Sequence, residues 1–351
     1  MKTFRHLLTL LLALTFFACD DASFSDPHLM PVKVSGLRIQ NISHVKPMPD
    51  GTVAYPVSEN GGVKVAKINR DGTVSYSEFV DDVDPTNFFV NASGECLVTG
   101  KKVAKLYWDG RIAFVGDSDF SSVLLDNGDI CYPKFFSFEG NQMEIHTLGN
   151  NFVYVINCDE QWTDVLPFDD KWFAFNYSNL FCIYDADGNV VCNGELDGSV
   201  ASLNYIDGCL YLIVNSGFQN LDTDSTEYIT KWSLVKMTID GRIIYSTAID
   251  ISDIYNLTVH DGKLFLSGDV MSYIAKDGTY GIIYVLDDDG GGIMSTVAIK
   301  YNGCQVIPLH VSPDSNGEYD VYAARRDNYE SGYPHLVIYH TDDLNKLIIK
   351  N

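Results

Sequence analysis

Short apolar or alternating runs, rich in Val, Ile, Tyr and Phe, fill the chain after its first 31 residues, and Asp-Gly or Asn-Gly pairs separate many of them. Such pairs tolerate the positive φ of tight turns, so they indicate antiparallel strands joined by short hairpins. No stretch of this region shows a convincing 3.6-residue apolar period. The pattern therefore predicts an all-β fold.

The turn residues form two interleaved series. The first series, nearly all followed by Gly, is Asp50, Ser93, Asn127, Asp169, Asp207, Asp261 and Asn316. The second series is Asp71, Asp109, Gly149, Asp187, Asp240, Asp289 and Asp342. Successive members of one series lie 34 to 55 residues apart, a period typical of four-stranded units repeated around a ring. First-series turns would join strands A and B of each unit, and second-series turns strands C and D.

This repeat predicts a β-propeller of about seven four-stranded blades. Six or eight blades are the alternatives, because the region 150–165 is irregular. The segment Val32 to Gln40 precedes the first A strand, so we expect it to complete the last blade as its outer strand and close the ring. Residues 32–351 would then form a single propeller domain.

The N-terminus is typical of a signal peptide. A basic segment, Met1–His6, precedes an apolar run of 12 residues, Leu7–Ala18, which is shorter than a membrane-spanning helix. The run ends directly before Cys19, and the chain then turns acidic with Asp20 and Asp21. This arrangement resembles the lipobox of bacterial lipoproteins, and the acidic residues resemble the surface-export signal of Bacteroidota lipoproteins.

The resemblance implies that residues 1–18 are removed, that Cys19 is lipidated (palmitate included), and that residues 19–31 form an acidic tether. It implies a location at the outer membrane or cell surface of a Gram-negative bacterium, with a periplasm-facing location as the alternative. Phe16 and Phe17 differ from the usual lipobox residues, so ordinary cleavage with release is the other outcome.

The charge and the cysteines narrow the classes of partner. The chain has 24 basic and 47 acidic residues, a formal net charge of −23, which argues against binding nucleic acid or an anionic membrane surface. Seven cysteines follow Cys19 without a CxxC motif, which argues against a complete disulfide framework and a zinc site. Cys182 and Cys192 flank one turn, so a single cross-strand disulfide stays open.

The spacing of the two series predicts where a ligand would bind. Paired turns lie 16 to 22 residues apart in the first four units and 26 to 33 apart in the last three. We expect the added residues in long B–C loops on one face, where binding residues usually lie. Their aromatic and polar residues suit a glycan or peptide, or they pack against their own loops. The ligand-binding candidates are Phe218, Tyr273, Lys276, Arg325, Arg326, Tyr329 and Tyr333.

A polar residue lies five or six positions before most A–B turns. These residues would ring the mouth of a central channel on the long-loop face, either as a small-ligand or ion site or as the wall of a water-filled channel. The channel-mouth candidates are His44, Asn87, Ser122, Asp164, Ser202, Asn256 and His310.

Catalytic motifs such as HExxH, GxSxG and the P-loop are missing from the sequence, so no catalytic residue, metal site or cofactor is predicted. Calcium is an alternative at Asp222–Thr226 or at Asp287–Gly292.

The sequence favours a lipid-anchored extracytoplasmic binding or scaffold protein for a glycan, a peptide or an envelope protein, either monomeric or within an envelope complex. The alternatives are a glycoside hydrolase or polysaccharide lyase on the same scaffold, and a scaffold in an outer-membrane assembly.

Overall fold

The computed structural model describes eleven stretches of the chain. These are residues 31–117, 122–136, 142–147, 151–157, 164–169, 171–176, 179–220, 228–270, 280–299, 304–327 and 333–347. Within them the chain forms β-strands and two short 3-10 helices, Ile42–His44 and Leu344–Leu347. The strands form seven sheets, which we number in chain order, and neighbouring strands in every sheet are antiparallel.

The first four sheets are built from short strands. Sheet 1 contains β2 (Lys46–Pro47), β3 (Val53–Glu59), β4 (Gly62–Ile68), β5 (Val74–Tyr76) and the additional strand β6 (Val80–Asp81). Sheet 2 contains β7 (Asn87–Val90), β8 (Cys96–Thr99), β9 (Lys102–Leu106) and β10 (Ile112–Asp117). Sheet 3 contains β11 (Val123–Leu124), β12 (Ile130–Phe136), β13 (Gln142–Thr147) and β14 (Asn151–Asn157). Sheet 4 contains β15 (Asp164–Phe168), β16 (Lys171–Phe175), β17 (Leu180–Tyr184) and β18 (Val190–Glu195).

The last three sheets have longer strands. Sheet 5 contains β19 (Ser199–Ile206), β20 (Cys209–Asn220), β21 (Tyr228–Thr238) and β22 (Ile243–Ile249). Sheet 6 contains β23 (Asp253–His260), β24 (Lys263–Val270), β25 (Tyr280–Asp287) and β26 (Ile293–Ile299). Sheet 7 contains β27 (Cys304–Pro313), β28 (Tyr319–Asp327), β29 (His335–Thr341) and, as its outer strand, β1 (Val32–Arg38).

The N-terminal strand closes the ring, as the sequence predicts. β1 pairs antiparallel with β29, with Val32 opposite Ile338 and Lys33 opposite Val337. One expectation fails as a consequence. Asp342 follows β29 but does not join a C–D hairpin, because the fourth strand of sheet 7 comes from the other end of the chain. The chain continues from Asp342 into the 3-10 helix Leu344–Leu347 instead.

The buried apolar side chains lie between the sheets. Among the described residues they form seven clusters, and each cluster joins two consecutive sheets, including sheet 7 with sheet 1. Representative pairs, one from each cluster in ring order, are Val63 and Val98, Leu97 and Leu124, Ile145 and Trp172, Phe173 and Leu212, Leu234 and Leu266, Phe265 and Val321, and Ile338 and Tyr55. Seven interfaces that return to the first sheet define a closed ring, so the β-propeller prediction is confirmed within its range of six to eight blades.

The continuous apolar runs of the sequence follow from this packing. Successive side chains on a strand point to opposite faces of the sheet, and here both faces are covered. In β16, Trp172 and Ala174 pack towards sheet 3, whereas Phe173 and Phe175 pack towards sheet 5. A strand covered on both faces is therefore apolar at most positions rather than at alternate ones, and buried polar residues such as Ser267 and Asp269 in β24 are exceptions.

The same alternation excludes the disulfide left open by the sequence. Cys182 lies opposite Asn193, and Cys192 lies opposite Ile183, so the two cysteines occupy different faces of sheet 4. Cys182 belongs to the cluster shared with sheet 3, and Cys192 packs against the cluster shared with sheet 5. Both thiols are free.

The connections divide the ring into two faces. We call the side with the A–B and C–D turns the hairpin face, and there the Asp288 amide of a C–D turn donates to the Gly262 carbonyl of an A–B turn at 2.9 Å. We call the opposite side, with the B–C and D–A connections, the long-loop face. On that side the Ser252 amide of a D–A connection donates to the carbonyl of Asp269 near the end of β24 at 2.8 Å.

Glycines on the hairpin face let the C–D turns pack against the preceding sheet. At Gly241, where φ is +85°, an added Cβ would lie 2.6 Å from the Cys192 sulfur of sheet 4. At Gly291, with φ of +68°, it would lie 2.4 Å from the Tyr245 ring of sheet 5. Both the left-handed backbone and the close approach require glycine there, so these turns also stabilise the interfaces.

The expected long B–C loops are only partly loops. In sheet 5 the added residues lengthen the strands: β20 has 12 residues and β21 has 11, against 5 residues in β16. Their pairing continues beyond a bulge between Asn215 and Phe218 to Asn220 opposite Tyr228. This part of the sequence therefore forms a long hairpin at the long-loop face.

Candidate functional site

A polar cleft opens between sheets 4 and 5 on the long-loop face. Its volume is about 300 Å³, and it is lined by Asn179, Asp197, Gly198, Ser199, Asn215, Ser216 and Gly217. All three elements that meet there are connections or strand ends: the B–C turn of sheet 4, the D–A connection, and the bulged part of β20. Ser216 and Gly217 lie in the B–C segment of the fifth unit, where the sequence predicts added residues, and the other five lining residues are not among the predicted candidates.

Two backbone features form the cleft. Asn179 has a left-handed backbone with φ of +67°, and its carbonyl accepts the Leu196 amide at 2.8 Å, which holds the D–A connection beside the turn. Gly198 has φ of +140°, and a Cβ added there would lie 2.2 Å from the Asn215 carbonyl oxygen. The connection can approach β20 this closely only because position 198 is glycine.

The bulge in β20 forms the opposite wall. Gly217, with φ of +107°, donates its amide to Asn215 Oδ1 at 2.9 Å, and Ser216 Oγ donates to the Lys231 carbonyl at 3.4 Å. A bulge bends its strand and changes the direction of the side chains that follow. This opens space beside Ser199, which pairs with Asn215.

The chemistry of the lining is that of hydrogen bonding. Side-chain amides of Asn179 and Asn215, hydroxyls of Ser199 and Ser216, and the carboxylate of Asp197 supply both donors and acceptors. Asp197 is the one carboxylate among the lining residues. Glycoside hydrolysis ordinarily uses a pair of carboxyl groups about 5 to 10 Å apart, of which the lining supplies one.

The predicted ligand-binding residues that lie in the described ranges are spread over sheets 5 and 7. Arg325 and Arg326 lie in strand β28 instead of a loop, and Arg325 is 7% exposed. Phe218 lies in β20, opposite Thr230. Tyr333, in the B–C connection of sheet 7, is 54% exposed, and its carbonyl accepts from Arg38 Nη1 at 3.3 Å. Phe218 belongs to sheet 5 and Tyr333 to a connection of sheet 7, so sheet 6 separates them in the ring. The other three candidates, Tyr273, Lys276 and Tyr329, lie outside the described residues.

Three of the channel-mouth candidates are buried, which does not fit an open polar ring. His44, Ser122 and His310 are 7%, 1% and 3% exposed. His44 Nε2 lies 3.1 Å from the Thr86 carbonyl, and His310 Nδ1 lies 3.3 Å from Thr258 Oγ1. Burial lowers the pKa of both imidazoles, that of His310 to about 4, so they are neutral polar groups inside the wall.

The other four candidates lie at or near the start of inner strands. Asn87 and Asp164 are the first residues of β7 and β15. Asn87 is exposed, whereas Ser202 and Asn256 are half-buried. Asn256 Oδ1 accepts the Leu257 amide at 2.7 Å. These residues are not shown to form a common site.

The channel instead contains an apolar cavity near the hairpin face, which sequence reasoning missed. Its volume is about 280 Å³, and the ends of the inner strands of sheets 2, 3, 4 and 5 line it. The lining includes Phe89, Leu125, Leu166 and Leu203, with Asp126 and Asp169 in the adjoining turns. The available signal was an apolar residue two to four positions before each of these A–B turns.

A buried ion pair links sheets 5 and 6. Lys236 Nζ lies 2.8 Å from Asp288 Oδ2, and the Tyr211 hydroxyl donates to Asp288 Oδ1 at 2.8 Å. Burial and the neighbouring carboxylate raise the pKa of Tyr211. Asp287–Gly292 is one of the two segments in which the sequence allows calcium, and its Asp288 carboxylate is bound by Lys236 and Tyr211. The other segment, Asp222–Thr226, lies outside the described residues. No group of three or more His, Cys, Asp or Glu that could hold a metal occurs in the described parts of the chain.

One buried carboxylate lies at the long-loop end of sheet 6. Asp269 is 4% exposed; its Oδ2 accepts from the Tyr255 hydroxyl at 3.0 Å, and its Oδ1 has no hydrogen-bond partner. Burial, with a smaller contribution from Asp253, raises the pKa of Asp269 to about 6. It therefore titrates in a range where ordinary carboxyl groups are already ionised.

Comparison with known proteins gives the fold alone. No family model matches the chain, and no curated protein matches it. Sqt1 of Saccharomyces cerevisiae is 9% identical with a TM-score of 0.50, covering 85% of this chain and 83% of its own. BamB of Moraxella catarrhalis is 11% identical with a TM-score of 0.48, covering 89% of this chain and 100% of its own. The computationally designed Ika8 protein is 11% identical with a TM-score of 0.45, covering 91% of this chain and 98% of its own. No helix in the described ranges is long and apolar enough to cross a membrane.

Proposed function

We propose that the protein is an exported, lipid-anchored propeller of the bacterial envelope that binds a neutral glycan in the cleft between sheets 4 and 5. The observation that supports this proposal is the polar lining of a cleft about 300 Å³ in volume on the face with the long hairpin. The propeller acts as a rigid scaffold, and the connections it holds provide the recognition surface.

The chemistry of the lining favours a hydroxyl-rich ligand. Each sugar hydroxyl both donates and accepts, which matches a wall of amides, hydroxyls and one carboxylate. The net charge of −23 disfavours an anionic ligand through long-range repulsion. A neutral oligosaccharide meets both conditions, with hydrogen bonds in place of aromatic stacking.

An oligosaccharide array tests this proposal with the purified protein. We expect wild type to retain a subset of neutral glycans and Asp197→Asn to bind them about tenfold more weakly, because hydrogen bonds to a charged group are worth about 1.5 to 3 kcal/mol. Asp187→Asn is the matched control, since Asp187 precedes β18 on the hairpin face and Asp197 follows it on the long-loop face. Absence of neutral glycan binding by wild type, or equal loss in both variants, would contradict the proposal.

The anchor is proposed from the resemblance of residues 1–21 to lipoprotein signals. Two acyl chains suffice for stable membrane attachment, so lipidation at Cys19 would keep the propeller at the envelope. Growth with a fatty-acid analogue should label wild type and leave Cys19→Ala unlabelled. Equal labelling of the two proteins would refute the anchor and leave the cleft unaffected.

A further inference from the structure

We propose that the apolar channel cavity at the hairpin face is a docking site for a partner polypeptide that inserts an apolar side chain beside a Lys or Arg. This surface lies on the side of the ring opposite the glycan cleft. It is therefore independent of the proposed function, and both could operate in one molecule.

The cavity walls are mostly apolar and accessible, with Asn91 and Asn204 as polar residues among the lining. Phe89, Leu125, Leu166 and Leu203 come from four consecutive inner strands or the residues that follow them, and each remains half-buried. Tyr205 adds a ring whose centroid lies 5.5 Å from that of Phe168. Apolar side chains from four sheets that converge on one space, without filling it, leave a favourable place for an apolar side chain of another molecule.

The rim supplies the charge. Asp126 and Asp169 line the cavity in the A–B turns of sheets 3 and 4, and both are exposed. None of the lining residues is Lys, Arg or His. A nearby lysine, Lys105, has its Nζ held by the Gly128 carbonyl at 2.5 Å and by Glu95 at 3.0 Å. The rim therefore complements a cationic group placed above an apolar one.

The size of the cavity is sufficient for a side chain. Its volume is about 280 Å³, which admits one apolar side chain between the inner strands. One apolar side chain, with its basic neighbour at the rim, fits such a space. The rest of the partner would lie across the hairpin face, where Asp207 and Asp261 in the A–B turns of sheets 5 and 6 are also exposed.

A peptide array tests the docking site directly with the full protein. The probes are heptapeptides with Gly flanks and a central pair that combines Leu, Phe or Met with Arg, Lys or Glu. We expect retention of the Arg and Lys peptides and not of the Glu peptides. Asp126→Asn with Asp169→Asn should weaken retention about fivefold, as expected when the one basic side chain of each peptide loses its exposed carboxylate partners. Leu203→Trp should weaken it more by filling the cavity.

Matched controls separate the outcomes. Asp71→Asn with Asp187→Asn makes the same charge change in outer C–D turns and should leave peptide binding unchanged. Asp197→Asn, in the glycan cleft, should also leave it unchanged. Equal retention of Arg and Glu peptides, no retention by wild type, or equal loss in the inner-turn and outer-turn double variants would overturn the proposal. The asparagine variants keep the test valid if Leu203→Trp does not fold.

Discussion

Replacing Asp288 by Ala should destabilise the ring at the interface between sheets 5 and 6. Asp288 lies in the C–D turn of sheet 6, and its carboxylate receives Lys236 Nζ at 2.8 Å and the Tyr211 hydroxyl at 2.8 Å, both from sheet 5. The side chains of Lys236 and Asp288 are only 9% and 12% exposed. Asp288→Ala therefore removes the acceptor of the Tyr211 hydroxyl and leaves the Lys236 ammonium with only the backbone carbonyl of residue 288, at 2.9 Å, in place of a carboxylate.

The magnitude follows from this burial. Removing one member of a buried ion pair costs about 3 to 5 kcal/mol when the remaining charge is left without compensation. The carbonyl of residue 288 still accepts from Lys236 Nζ, so Asp288→Ala should lie at the lower end, about 3 kcal/mol. Tyr211→Phe removes one hydrogen bond and should cost about 1 to 2 kcal/mol. An exposed pair gives the comparison: Glu59 and Lys64 are 2.6 Å apart with side chains 47% and 27% exposed, so Glu59→Ala should cost about 1 kcal/mol or less.

Urea unfolding followed by tryptophan fluorescence measures these costs. The double variant Lys236→Met with Asp288→Ala should be less destabilised than the sum of the single variants by at least about 1 kcal/mol, since neither charge is then left alone. Strictly additive costs, or an Asp288→Ala cost no larger than that of Glu59→Ala, would refute the view that this pair joins the two sheets.

The remaining predictions concern pH and backbone strain. Because Asp269 has a pKa of about 6 in the fold, its contribution makes the free energy of unfolding fall by about 3 kcal/mol as the pH rises from about 4 to 6. Asp269→Asn should remove that slope and be more stable than wild type at pH 7.5. An unchanged slope would contradict this. Burial lowers the pKa of His310 to about 4, so the free energy of unfolding should decrease as the pH falls from about 6.5 towards 4, opposite in sign to the effect of Asp269. His310→Gln should flatten this decrease in urea titrations. Retention of the decrease would show that another group causes it. Gly198→Ala should lower the urea midpoint because its Cβ would lie 2.2 Å from the Asn215 carbonyl, and a midpoint equal to wild type would show that the connection moves freely.

The sequence predicted the fold through its turns. Pairs such as Asp50-Gly51 and Asp71-Gly72 indicate tight hairpins independently of distant contacts, because their residues readily adopt the positive φ that such turns require. Their period then requires a ring, and Val32–Arg38 completes sheet 7 as expected. Asp342 belongs to the second series of turn residues but is followed by Asp343 instead of Gly, and the chain continues from it into the 3-10 helix Leu344–Leu347 while β1 takes the outer place in sheet 7.

The candidate site was harder to predict because side-chain direction depends on register. A bulge between Pro308 and His310 shifts the pairing of β27, and the His310 side chain is buried against Thr258. Arg325 was assigned to a loop because its polar neighbours hid the continuation of β28. The cleft itself depends on Gly198 and on a bulge in β20. The sequence marks both places with a glycine, in Asp197-Gly198 and Ser216-Gly217, but the space between them depends on how sheets 4 and 5 pack.

Amide hydrogen exchange with and without a neutral oligosaccharide from the array tests the central claim most directly, because it locates the recognition surface without any substitution. The account predicts slower exchange at residues 197–199 and 215–217, and unchanged exchange in the turns of the hairpin face. Protection confined to the hairpin face, or spread evenly over the seven sheets, would contradict the assignment of glycan binding to the cleft between sheets 4 and 5.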